Sequence, residues 1–268
     1  MARRTLTALF LLAVLLPSVY VGGIPFFLLV AVFLGIAAFE YTEMFRLRGF
    51  QPSRLITVAA VLLILAARLF RPDAASLVLT ISILIAMTFH LVSFERGRDF
   101  AAADLVITFG GIAYLGWVGA YLIDLRLLPN GLWWLMLVLS IVWVADSVAY
   151  FIGVRWGRHK MFVRLSPKKS WEGYAAGAVA GTAFGGILGA LLGELSPLDV
   201  SVWQGMSLGL VLSVLTTLGD LGESLFKRFA GIKDSGTFLP GHGGAFDRID
   251  SLIWAGVLGY YWIRFLPL

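Results

Sequence analysis

The sequence predicts an all-α, polytopic integral membrane protein with about nine transmembrane helices and a cytoplasmic N-terminus. Of its 268 residues, 59% are hydrophobic and 14% are charged, and the mean hydropathy is +0.89. A water-soluble chain of this size has no core large enough to hide that apolar surface, so lipid is the expected solvent. The apolar residues also fall into runs close to the roughly 20 residues a helix needs to cross the hydrocarbon layer. Finally, the cations are one-sided. With the N-terminus in the cytoplasm, the even-numbered connections and Arg3–Arg4 carry every one of the 21 Lys and Arg except Arg68, Arg71, Arg126 and Arg264. The positive-inside rule then places both long polar loops in the cytoplasm, where nucleotides are.

The expected spans are Leu6–Val21, Ile24–Phe39, Leu55–Phe70, Ala74–Phe94, Asp104–Ile123, Gly131–Val154, Trp171–Leu192, Val200–Asp220 and Ser251–Phe265. The first two are short and meet at Gly22 and Gly23, so a re-entrant hairpin is the alternative there. Arg3 and Arg4 before an apolar run look like the start of a signal peptide, but the further apolar segments favour an uncleaved anchor. Throughout residues 1–130 the Arg and Glu residues sit at span ends, where long side chains snorkel toward headgroups and meet anionic lipid. The sixth holds Asp146, the eighth ends on Asp220 and the ninth follows Asp250. The seventh has small residues spaced four apart at Gly177, Gly181, Gly185 and Gly189, a pattern of close helix packing within a bundle or an oligomer. Residues 1–130 thus read as a helical scaffold, and residues 131–268 as the catalytic region with two cytoplasmic polar loops. The absence of cysteine excludes disulfides, thiolate metal sites and a cysteine nucleophile.

Three constellations carry chemistry. Asp146, followed by Ser147 and Tyr150, lies inside an otherwise apolar run, and an acid at that depth marks a site or a buried hydrogen bond. Ser166-Pro167-Lys168-Lys169-Ser170-Trp171-Glu172 sets two lysines before a helix N-terminus, which fits a phosphate or lipid headgroups. Residues 219–250 hold five carboxylates, five basic side chains and seven glycines between apolar spans. Within them Asp220, Glu223, Ser224 and Lys227 share one helix face, and Asp247 and Asp250 another. The pairs bracket Pro240-Gly241-His242-Gly243-Gly244, a turn whose backbone can approach a ligand closely. Carboxylates on adjacent helix ends suit magnesium. His242 reads as a structural residue or phosphate donor ahead of a general base, because phosphoryl chemistry chiefly needs positioning and charge. His90 and His159 read as incidental.

The C-terminal half resembles the phosphatidate cytidylyltransferases, also called CDP-diacylglycerol synthases. The resemblance rests on Ser224-x-x-Lys227-Arg228, Lys233-Asp234-x-Gly236, Pro240-x-His242-Gly243-Gly244 and Asp247-Arg248-x-Asp250, with Asp146-Ser147, Ser166-Pro167-x-Lys169-Ser170-Trp171 and Gly219-Asp220 upstream. Ala245 departs from the family, where a larger aliphatic is usual. The resemblance implies magnesium-dependent reaction of CTP with phosphatidic acid in phospholipid biosynthesis, at the cytoplasmic (inner) membrane with the site facing the cytoplasm. It also implies a homodimer and no nucleic-acid partner. Asp220 and Asp247 are then expected to bind the metal, with Asp250 and Asp146 as further ligands or partners and a second cation left open. Lys169, Lys227, Arg228, Lys233 and Arg248 would hold phosphates, and Asp234 would orient Lys233 or the ribose. Ser170, Ser224, His242, Gly243 and Gly244 would complete the substrate site, among membrane lipid. The competing classes are a secondary transporter using Asp146, a CTP-dependent lipid kinase, and a purely structural membrane protein that leaves the charges unexplained.

Overall fold

The computed structural model describes residues 13–238 and 243–265. Its elements are the helical stretch 13–21 (α1), α2 Gly23–Arg46, α3 Arg54–Phe70, α4 Ala75–Glu95, α5 Ala101–Gly111, α6 Tyr121–Leu127, α7 Gly131–Trp156, α8 Trp171–Leu195, α9 Val202–Leu215, α10 Thr217–Ala230 and α11 Phe246–Phe265. A π-helical segment, Ile112–Val118, joins α5 toward α6, and a short antiparallel hairpin pairs β1 Lys160–Phe162 with β2 Ser166–Ser170. Each predicted span has a helical counterpart, although the first is described only from residue 13. Among the described residues, six helical stretches are long and apolar enough to cross a membrane: Gly23–Arg46, Pro72–Glu95, Ala101–Leu127, Gly131–Trp156, Trp171–Leu195 and Val202–Ala230. The expected number was about nine. Of the three others, the first lies partly outside the described residues, α3 has only 17 residues and α11 opens with Asp247, Arg248 and Asp250.

The chain forms two compact units. One comprises the residues up to Asp124 together with Leu225–Ile249; the other comprises Leu125–Ser224 and the residues from Asp250 onward. The polar segment 225–249, grouped by sequence with the C-terminal region, therefore clusters with the N-terminal helices.

In the first unit, Leu34, Ala37, Ala38 and Tyr41 of α2 and Val61, Ile64 and Leu65 of α3 are buried. By contrast α4 exposes Leu77, Ile81, Leu84, Ile85 and Phe89. A helix apolar all round is solvated by lipid on the faces its neighbours leave open. Ser53 caps α3 by accepting from Ile56 N. His90, only 2% exposed, hydrogen-bonds Thr108 through Nε2 at 3.0 Å, so it sits in the packed interior of the first unit. The C-terminal half of α10 is held by ring contacts of Phe226 with Tyr41, Phe45 and Phe246. It ends in a Schellman turn, with Ile232 N donating to Lys227 O, Gly231 N donating to Arg228 O and Gly231 at φ 77°.

In the second unit, the glycine ladder of α8 packs inside the chain. A Cβ on Gly173 or Gly177 would lie under 3.0 Å from Ala149 O or Ala145 O of α7, and one on Gly185 under 3.0 Å from Gly205 O of α9. At these positions backbone meets backbone, so dispersion contact replaces the hydrophobic drive that lipid removes. Ser170 caps α8 by accepting from Gly173 N, and Ser201 and Gln204 form a capping box on α9.

Candidate active site

The sequence-predicted residues fall into two clusters, one in each unit. In the second unit, Asp220 stands in the first turn of α10 and Asp250 in the first turns of α11. Gly219 makes their approach feasible, because a Cβ there would lie under 3.0 Å from the Trp254 ring and from Asp250 O. Carboxylate oxygens of Asp220, Glu223 and Asp250 all lie within 4.8 Å of one another. Glu223 is 1% exposed, while Asp220 and Asp250 are half-buried. Lys169 Nζ lies 2.7 Å from Asp220 Oδ2, and Ser224 Oγ donates to Asp220 Oδ1 at 3.4 Å. Asp146, exposed on α7, is within electrostatic reach of Lys169 and Asp220. Three like charges this close repel, so the arrangement favours a cation among them. Their all-oxygen donor set fits a hard divalent ion such as Mg2+. Lys169 emerges from β2 and Ser170 is spent on capping α8, so the hairpin supplies the rigid approach to this cluster. Glu172 accepts from His159 N at 3.1 Å and from His159 Nδ1 at 2.6 Å, which ties the start of α8 to the segment preceding β1.

In the first unit, Asp247 accepts from Lys227 Nζ at 2.6 Å, Ser235 N at 2.9 Å, Ser235 Oγ at 2.9 Å and Gly244 N at 2.8 Å. Burial pushes its carboxyl up, but the Lys227 hydrogen bond, the Gly244 and Ser235 N–H groups and the Lys227 charge outweigh that and hold it at about 2. Gly243 has φ 83°, and a Cβ there would crowd Asp247 Oδ2. On Gly244 a Cβ would lie under 3.0 Å from Ser235 Oγ and from both Glu40 carboxylate oxygens. The paired glycines are thus required by two acids pressing on the same turn. Lys233, Asp234, Arg228 and Arg248 are exposed, with Arg228 Nη1 donating to Ile232 O at 3.3 Å. His242 and Pro240 lie outside the described residues.

Three participants escaped the sequence reading. Glu223 was placed on the right helix face but given no role, and Ser235 sat unremarked between Asp234 and Gly236. Glu40 follows directly on the expected span Ile24–Phe39 and so reads from sequence as one of the span-end charges. Its signal was helical spacing: position 40 falls beside Ala37, Tyr41 and Met44, the buried face of α2.

A family model described as "Cytidylyltransferase family" matches residues 2–266. Proteins named phosphatidate cytidylyltransferase from Staphylococcus saprophyticus and Staphylococcus epidermidis are each 34% identical, the alignments covering 93% of this chain and 94% of each relative. One of the same name from Staphylococcus aureus is 32% identical over the same shares.

Proposed function

Because the chain belongs to the cytidylyltransferase family and is a nucleotidyltransferase, we propose that it joins CTP to phosphatidic acid, giving CDP-diacylglycerol and pyrophosphate for phospholipid biosynthesis. A phosphate oxygen of the lipid attacks the α-phosphorus of CTP. The new P–O bond forms as the bond to the α–β bridging oxygen breaks, and that electron pair leaves with pyrophosphate. Two anions must meet, so the main task of the protein is charge neutralisation and alignment.

The observation that carries this reading is the carboxylate trio Asp220, Glu223 and Asp250 beside Lys169, in a chain matched over residues 2–266. Asp220 and Asp250, with Glu223, are the residues proposed to hold Mg2+, and Asp146 is a further ligand or partner. When bound, the ion offsets phosphate charge and supports departure of pyrophosphate. Lys169, Lys227, Arg228, Lys233 and Arg248 bind phosphates, and Asp247 orients the Lys227 ammonium. Phosphatidic acid leaves the bilayer only at great cost, so the lipid phosphate is met at the interface. The one-sided distribution of cations supports a cytoplasmic site.

The test is mass spectrometry of lipid products after incubating purified protein with CTP, Mg2+ and phosphatidic acid. Lipid that gains CMP with pyrophosphate release is expected. CDP release would establish a lipid kinase instead, and no CTP turnover would sink the reading.

A further inference from the structure

We propose that Glu40, on α2 in the N-terminal half, is a positioning residue for the Lys227–Asp247 pair; the assignment of that pair to the reaction rests on the cytidylyltransferase reading. Glu40 is only 5% exposed and accepts from three donors. These are Ser235 Oγ at 2.9 Å, Ala245 N at 3.0 Å and Phe246 N at 2.9 Å. Burying a carboxylate in an apolar bundle is costly unless it is fully hydrogen-bonded, and this one is satisfied entirely by the segment that carries Asp247. Ala245 N and Phe246 N stand at the start of α11, where helix geometry leaves N–H groups without intrahelical partners. Glu40 therefore caps α11 from another helix, with its negative charge at the positive end of the helix dipole.

The connection to Asp247 is direct. Ser235 Oγ lies 2.9 Å from both Glu40 Oε2 and Asp247 Oδ2, and it accepts from Asp247 N at 3.4 Å. A hydroxyl has one proton to give, so Glu40, Ser235 and Asp247 form a single network in which each acceptor sets the geometry of the others. Sterics point the same way. A Cβ on Gly236 or on Gly244 would lie under 3.0 Å from the Glu40 carboxylate, so two glycines of the motif are shaped to this side chain. Glu40 holds Ser235 on one side and Ala245 and Phe246 on the other, and so fixes where Asp247 presents Lys227.

The test uses the full-length protein in detergent or nanodiscs, with E40A, E40Q and D247N variants. A glutamine offers one carbonyl oxygen where three donors expect two carboxylate oxygens, so it keeps part of the clamp. In folded protein well below the melting midpoint, kcat/KM for CTP is expected to fall about 100-fold in E40A and about 10-fold in E40Q, the scale of loss from a small misplacement. In the D247N background, E40A should add under about threefold, because residues acting through one group are strongly non-additive. Equal fold losses in both backgrounds, or wild-type turnover in folded E40A, would overturn the assignment. Where E40A does not fold, E40Q and its D247N double variant carry the comparison. Hydrogen exchange reads the clamp without turnover: residues 243–249 should exchange about tenfold faster in E40Q while the α3 core does not change. Unchanged exchange there sinks the proposal even if the wild type is active. A wild type inactive toward CTP, with exchange altered as expected, refutes the catalytic reading and leaves the clamp standing.

Discussion

Replacing Lys227 by methionine keeps most of the apolar stem and removes the charge from a pair that is nearly closed to solvent. Lys227 and Asp247 side chains are 11% and 7% exposed, and their atoms meet at 2.6 Å. The pair and two backbone N–H groups hold the Asp247 carboxyl at about 2, against an ordinary value of 3.8. A depression of nearly two units corresponds to about 2 kcal/mol, since one unit is 1.36 kcal/mol. Without Lys227, burial opposes only the Ser235 and Gly244 donors, and the folded-state value returns to the ordinary range or above. The sign follows. A lowered folded value stabilises the protein above the unfolded value, near 4, and the benefit disappears as pH falls through about 2. K227M should therefore be less stable than the parent by about 2 kcal/mol at neutral pH, below the roughly 3–5 kcal/mol that breaking a buried pair costs, because three hydrogen bonds to Asp247 remain. The gap should close between about pH 4 and pH 2. Thermal unfolding in detergent with EDTA, from neutral pH down to the acid limit of the micelle, measures it. A gap that is constant across that range would mean that the stem of Lys227 matters through packing and that its charge does not.

Three further outcomes are expected. G185A should destabilise the protein by about 1–3 kcal/mol, because overpacking forces α8 and α9 apart where a Cβ meets Gly205 O; G222A, with nothing within 4 Å of its Cβ, is the control and should be neutral or stabilising in a melting series. D220N and D250N should each weaken Mn2+ binding at least tenfold by calorimetry on folded protein, about 1.4 kcal/mol, and lower CDP-diacylglycerol formation in parallel. The chain has no cysteine, so K168C introduces a single thiol at an exposed position. A membrane-impermeant maleimide should label it in inverted vesicles and fail to do so in intact cells; labelling from outside would overturn the cytoplasmic orientation.

The helices were legible because lipid imposes a simple rule on them. An apolar run near 20 residues has one stable conformation in hydrocarbon, so α4, α7 and α8 could be read almost to their ends. The spacing of Asp220, Glu223, Ser224 and Lys227 likewise places them on one face of α10. Cytidylyl chemistry was legible from the charged motif, whose glycines and acids keep their spacing along the chain.

Other features depend on which helices become neighbours, and periodicity carries no such information. Gly177, Gly181 and Gly185 announced close packing, but only the fold shows that α7 and α9 of the same chain take up that face. Asp247 and Asp250 are three residues apart, yet one is drawn into the Lys227–Ser235 network and the other stands with Asp220 and Glu223. Glu40 looked like a charge at the end of a span, and its partners lie 195 to 206 residues away. Local composition marks this chain as a membrane protein, and the spacing of its charged motif marks the cytidylyltransferase family. Long-range packing settled which carboxylates meet cations and which hold backbone, because a buried charge takes its role from whatever donors the folded neighbours bring to it.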